Sequence, residues 1–328
     1  MKVSKIICLT LAAITALCAS ACTQNQKTYT LFSGSYWLSD PSVSEVGGVN
    51  ETCVYNVEYV PESDSSAIKA EITGTLTTRL TRETYEGVDC YKFTTEVKTS
   101  GKYTVNGTDY PVDDEEISEC LFLGMKDKLF PIKSSKTVNG ITPYKSNDVY
   151  NFYRVAYSSS VVYDYKNNKA TATLTPDDRS DEGVRVTASE RTYDKLGAQN
   201  AYFDNESMLM IARACNLEEG FSARFSSIDI IAGKVNTMTL AVNTSSANKE
   251  ISLKDYVIDG VTVGTEQAPK KIGCFNVNIS ISGTFSGNPV VLCYASDKEN
   301  RKRLVEMTTY LPFSAGKLNY RLKSVSTR

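Results

Sequence analysis

The chain of 328 residues contains no histidine. That removes the commonest general base and the usual zinc and copper ligand, so neither a Ser-His-Asp nor a Cys-His site can be assembled. No C-x-x-C pair occurs, which argues against thiol exchange of the thioredoxin kind. A glycine-rich loop of the phosphate-cradling type is missing too. There is no basic excess, with 36 Lys and Arg against 38 Asp and Glu, and no basic stripe suited to nucleic acid. Tryptophan is represented once, at Trp37. Together these gaps leave only carboxylate, lysine or metal chemistry to an enzyme, and no cofactor, catalytic residue or metal ligand set is expected.

What is present begins with an export signal. Lys2 and Lys5 make a basic start, Ile6 to Leu17 is apolar but too short to span a membrane, and Ala19-Ser20-Ala21 supplies small residues before Cys22. Residues 1–21 therefore read as a signal peptide. Cys22 behind Leu17-Cys18-Ala19-Ser20-Ala21 resembles a bacterial lipobox, in which that cysteine is lipidated and becomes the mature N-terminus. Several acyl chains there would hold the protein on an extracytoplasmic membrane surface; plain cleavage and release is the alternative. Residues 22–45 read as a tether, with Trp37 either packing on the edge of the domain or stacking on a ligand.

From residue 53 the period is two. In Ala70 to Arg82, Ile72, Leu76 and Leu80 share one side and Glu71, Thr73, Thr75, Thr77 and Arg79 the other, the mark of a strand with one buried face. Tyr55/Val57/Tyr59, Tyr91/Phe93/Val97, Tyr153/Val155/Tyr157 and Ala170/Ala172/Leu174 follow the same rule. So do Val184/Val186/Ala188, Phe221/Ala223/Phe225, Phe275/Val277/Ile279/Ile281 and Leu318/Tyr320/Leu322. Turn chemistry at Asn106-Gly107, Lys166 to Lys169, Asp259-Gly260 and Ser282-Gly283 separates such runs. A faint echo links Cys90 to Phe93, later followed by Cys120, with Cys274 to Val277, later followed by Cys293.

One segment breaks the pattern. Between Tyr202 and Phe225, Met208, Leu209, Met210, Ile211, Ala212, Ala214, Cys215 and Leu217 are apolar around almost a full helical circumference, with Arg213 the only charge. Asp204 or Asn205 can cap its start and Glu218-Glu219-Gly220 can close it, which predicts a helix of about three turns over 205–217. The expected fold is mainly β (α+β): residues 46–328 form a single domain, a large curved antiparallel sheet or half-barrel with this helix packed in its concave side.

At this point the residues carry a resemblance. Asp204-Asn205-Glu206-Ser207 opening an apolar helix with Arg213, then Gly264-Thr265-Glu266, Gly273-Cys274-Phe275, and the finish from Ser296-Asp297 through Arg303-Leu304-Val305 to Leu318-Asn319-Tyr320-Arg321-Leu322 form one signature. It resembles a family of uncharacterised bacterial envelope proteins similar in fold to the lipoprotein-localisation carriers. The resemblance covers roughly residues 115–328 and implies an incomplete β-barrel with helix across its open side. It supplies no catalytic residues, and the insertion at Asn243 to Lys271 departs from the short carriers.

Several other features have plain readings. The acidic runs Asp113 to Glu116 and Asp177 to Glu182 lack the spacing of a calcium loop and read as solvated turns. Ser-x-x-Lys at Ser66/Lys69, Ser246/Lys249 and Ser314/Lys317 lacks the companion motifs of penicillin-recognising enzymes and reads as chance. The six cysteines after Cys22 are either buried thiols or up to three disulfides, with Cys90–Cys120 and Cys274–Cys293 as first candidate pairs. Arg213 either reaches solvent, pairs with a strand acid such as Glu190 or Asp229, or meets the head group of an amphiphile.

The functional expectation is a membrane-anchored, non-catalytic scaffold or docking lipoprotein with an envelope protein as partner. The alternative is a binder or carrier of lipid or another apolar molecule, held in a cavity lined by Met208, Leu209, Ile211, Arg213, Cys215 and Phe225. A scaffold predicts a hollow filled by the protein's own side chains; a carrier requires an open one.

Overall fold

The structure is a computed structural model that describes residues 50–62, 68–125, 128–146, 149–194, 202–243, 248–281, 290–297, 299–311 and 315–327. The expected signal peptide, Cys22, the tether with Trp37, the turn at Ser282-Gly283, and the serines Ser66, Ser246 and Ser314 lie outside the described residues.

Alternation produces strands of unusual length. β1 (Glu51–Val60) is followed by β2 (Ile68–Tyr85), β3 (Val88–Val105), β4 (Thr108–Met125), β5 (Lys128–Ser146) and β6 (Val149–Asp164). In β2 every second residue from Ile68 to Ile72 and from Leu76 to Leu80 is buried. At 18 residues it runs roughly 60 Å, against about five or six residues in an average strand. Then come β7 (Lys169–Pro176), β8 (Ser189–Asp194) and β9 (Tyr202–Asp204). A 3-10 turn (Asn205–Ser207) leads into the helix α1 (Met208–Ala214). The remainder is β10 (Ser222–Asp229), β11 (Lys234–Val242), β12 (Asn248–Leu253), β13 (Tyr256–Ile258), β14 (Val261–Gly264), β15 (Lys270–Ile281), β16 (Val290–Ala295), β17 (Leu304–Tyr310) and β18 (Lys317–Ser326).

The 18 strands of the described residues belong to one sheet. β8 back to β1 is an antiparallel meander, β1 pairs with the C-terminal strand β18, and β18-β17-β16-β15-β11-β10 continues antiparallel. β9 lies parallel to β10 at the far end. The sheet curls until its ends approach: Ile228 of β10 packs with Val161, Tyr163, Ala170 and Ala172 of β6 and β7, and Arg191 of β8 donates to Gly233 O at 2.8 Å. Among the described residues no ladder joins β8 to β9, so the fold is a large open, curved sheet of half-barrel form.

Bending such long strands requires local devices. Gly74 and Gly101 sit two rows apart in the β2–β3 ladder, where a Cβ would overlap Lys98 O and Glu71 O respectively. Without side chains the two backbones close together there. Register shifts at Val54/Tyr55, Leu121/Phe122 and Cys293/Tyr294 add coiling.

The concave face carries the core, and α1 belongs to it: Met210, Ile211, Ala212 and Ala214 join one cluster with Tyr55, Leu76, Phe93, Leu292 and Tyr294. The convex face of β2 to β4 is laced with exposed pairs such as Lys92–Glu119 and Lys98–Glu115. Such exposed pairs are screened by solvent and contribute little to stability, and they keep the outer face wet.

Three expectations are corrected. The helix ends at Ala214 instead of 217, with Cys215 already extended. Val184 to Ala188 is not a strand; a short 3-10 turn (Glu182–Val184) precedes β8. The loop before that turn is used to cover the edge of β6, where Asp181 N donates to Arg154 O at 2.9 Å and Ser180 Oγ receives Ala156 N at 2.7 Å. The run Asp113 to Glu116 is no turn but the middle of β4. The described part of the insertion, 248–271, folds into the sheet: β12 pairs antiparallel with β15 beyond the end of β11, and β13 runs parallel to the C-terminal part of β18.

Candidate functional site

The segment from Phe203 to Cys215 crosses the concave face as a strap, and a polar cluster holds each end. A row of small polar side chains prepares the first. Thr78, Thr95, Ser118, Lys136 and Ser159 stand opposite one another on β2, β3, β4, β5 and β6. All five would be apolar in a purely hydrophobic core; the four hydroxyls are buried. Thr95 and Ser118 satisfy each other at 2.6 Å.

Asp204 enters this region fully buried. Its Oδ1 accepts Glu206 N and Ser207 N, each at 3.0 Å, and Ser207 Oγ receives Asp204 N, which completes a reciprocal cap. Its Oδ2 accepts from Ser134 and from Tyr163 Oη, the latter at 2.7 Å. One carboxylate thus starts the helix and fastens it to β5 and β6. Beside it Lys136 lies 2.7 Å from Glu116 and 3.5 Å from Glu206. Burial pushes the Glu206 carboxyl up to about 7, with Lys136 pulling it down and Glu116 and Asp204 adding repulsion. Burial opposes the charge of Lys136, but Glu206 and Glu116 outweigh it and hold the ammonium above its ordinary range. The upward direction at Glu206 follows from geometry, since the Lys136 ammonium that it meets is engaged more closely by Glu116.

At the other end Arg213 meets Glu51 of β1, not Glu190, Asp229 or solvent. Nη1 donates to Oε1 at 2.8 Å, Nη2 to Oε2 at 3.4 Å and also to Arg301 O at 3.0 Å. Arg303 Nε reaches the same Oε2 at 2.6 Å, and Cys53 Sγ lies 3.6 Å from Oε1. All four side chains are buried. Burial works against the charge of Glu51, yet the two guanidiniums outweigh it and hold the carboxyl at about 2. Lys302 Nζ takes Cys215 O at 3.4 Å and Tyr294 Oη takes Leu209 O at 2.9 Å. The helix closes with Cys215 N on Ala212 O at 3.4 Å, and Cys215 itself is extended, which ends the helical path.

Of the expected cavity residues, Leu209 and Arg213 line a hollow together with Glu51, Tyr55, Thr78, Phe93, Tyr294, Arg303 and Leu304. Its volume is about 10 Å³, close to the minimum for one water. Ile211, Cys215 and Phe225 are packed in the core, Phe225 edge-on to Phe203 at 5.5 Å. Met208 is half-buried against the same cluster.

The candidate disulfides are absent. All six cysteines, Cys53, Cys90, Cys120, Cys215, Cys274 and Cys293, are free and buried. Cys120 stands opposite Phe93 and Cys293 opposite Asn276, so neither candidate pair is directly opposed. The two offsets differ, three residues in one pair and two in the other, and the echo is not a matched repeat. Among the described residues no group of His, Cys, Asp and Glu could hold a metal, and no helix is long and apolar enough to cross a membrane.

Reasoning from sequence missed Glu51, Lys136 and Arg303. Glu51 shares the parity of Cys53, Tyr55 and Val57, and a charge on the apolar side of a strand is the signal that would have found it. No family model matches the chain, and no curated protein does. A crystal structure of a β-barrel-like protein of domain of unknown function DUF1849 from Brucella abortus is similar at 9% identity over 84% of this chain and 97% of that one, with a TM-score of 0.47.

Proposed function

We propose that the chain is an exported lipoprotein of the bacterial envelope, anchored through lipidated Cys22, whose curved sheet is a non-catalytic scaffold or docking surface. The filled concave face carries this reading. Met210, Ile211, Ala212 and Ala214 are each 0% exposed, and only about 10 Å³ remains beneath Leu209 and Arg213. A carrier of the lipoprotein-localisation type needs room for acyl chains between helix and sheet. Here Arg213 also spends its charge on Glu51, which leaves it poorly placed to receive a head group.

Native mass spectrometry of the full chain extracted in detergent tests the choice. The expected result is a mass accounted for by the protein and its own N-terminal lipid. A further lipid adduct that disappears in Met208→Asp, with the fold retained, would replace the scaffold by the carrier. The anchor is checked separately: Cys22→Ala is expected to move the protein from the membrane fraction to the soluble one.

A further inference from the structure

We infer that the N-terminal end of the strap is a latch worked by pH: a proton on Glu206 keeps residues 204–208 seated against β4 and β5, and its loss releases them while the Arg213 end stays fastened. The charges at the seat are the starting point. Glu116 and Glu206 share the Lys136 ammonium, at 2.7 Å and 3.5 Å, and Asp204 repels Glu206 from within the strap. Both Asp204 oxygens are occupied, one by Glu206 N and Ser207 N, the other by Ser134 and Tyr163. Glu206 is the group that a proton relieves most. Neighbouring elements leave this balance unchanged. Tyr157 of β6 stays protonated, its hydroxyl pushed up by burial to about 12, and burial pushes the Cys120 thiol of β4 well up. On β10, Ser227 meets Asn205 Oδ1 at 3.3 Å, and Asp229 accepts from Ala232 N and Asn236 Nδ2.

The floor suits a segment that leaves. At this end of the concave face stand the buried hydroxyls of Thr95, Ser118, Ser134 and Ser159, which can take water when Asp204 and Glu206 withdraw, so release does not bare a purely apolar surface. The other end is tied independently, by Tyr294 Oη on Leu209 O and by Glu51 on Arg213. The released Glu206 carboxyl has its ordinary value of 4.5 and the seated one about 7. Release is therefore opposed in full below pH 4.5, becomes easier as pH rises from there to about 7, and gains nothing further above it.

Hydrogen exchange of the full chain, read by peptide mass spectrometry from pH 4 to 8 and corrected for the intrinsic rate, tests this. Exchange over 204–208 is expected to run ahead of β3 at every pH, to be insensitive to sub-denaturing urea, and to quicken roughly a hundredfold between pH 4.5 and 7 before levelling off. Glu206→Gln is expected to remove the pH response. Glu116→Gln, at a partly exposed position, leaves Lys136 to Glu206 and is expected to move the response to lower pH. Exchange over 204–208 that follows urea in step with β3 would mean that the segment opens only with the whole domain, and would overturn the inference. So would exchange without a pH response in the wild type, or an unaltered response in both variants.

Discussion

At the scale of single residues, the strap is held by carboxylates whose environments push them in opposite directions. Glu206, raised to about 7 in the folded state, has a higher pKa than its ordinary 4.5. Its contribution is therefore full below pH 4.5 and is lost as pH rises through about 7. Glu51, held at about 2, contributes above 4.5 and loses that contribution as pH falls toward 2. Urea unfolding of wild type and Glu206→Gln across pH 4 to 8 separates the two. The stability difference between them is expected to change by about 3 kcal/mol in favour of the variant between pH 4.5 and 7. A constant difference over that interval would mean that Glu206 titrates normally.

At the scale of elements, helix and strands owe their shape to different causes. The seven residues of α1 are too few to be stable alone, so its existence depends on burial and on the Asp204 cap. β2 and β3 owe their bend to absence of side chains at Gly74 and Gly101. Gly101 has φ of +143°, a conformation that favours glycine, and its Cα faces the backbone of Glu71 and Ile72. Gly101→Ala is expected to cost about 3 kcal/mol, read as a lower urea midpoint, because the two strands must part to admit a methyl group. Alanine at Gly107, where nothing lies within 4 Å, should cost less. Its φ of +80° still carries a penalty of about 1 kcal/mol.

For the whole molecule, one continuous sheet replaces cross-links as the source of cohesion. The C-terminal strand β18 pairs with β1, so the chain's described beginning and end close the middle of the sheet. Six thiols lie inside without bonding one another. Burial pushes the Cys215 thiol up to about 12 and the Cys293 thiol up to about 11, which keeps both unreactive. Alkylation followed by peptide mapping should label none of the six in the native protein and all six in denaturant. A reductant should leave the melting midpoint unchanged; a lower midpoint in reductant would reveal a disulfide.

The local chemistry was legible in the chain because its physics is local. Period-two alternation marked most strands, Asn106-Gly107 and Asp259-Gly260 marked turns with positive φ, and the all-round apolar face of 208–214 marked a segment that had to be covered. Asp204 was among the caps expected of it. Partner choice was not legible. Glu51 stands 162 positions from Arg213, and Arg303 stands 252 from Glu51. Nothing in either neighbourhood records the other. The closure of β1 on β18, the place where α1 stops, and the free state of the thiols depend on which strands become neighbours. That choice is made by burying one sheet face as a whole, and only the folded chain expresses it.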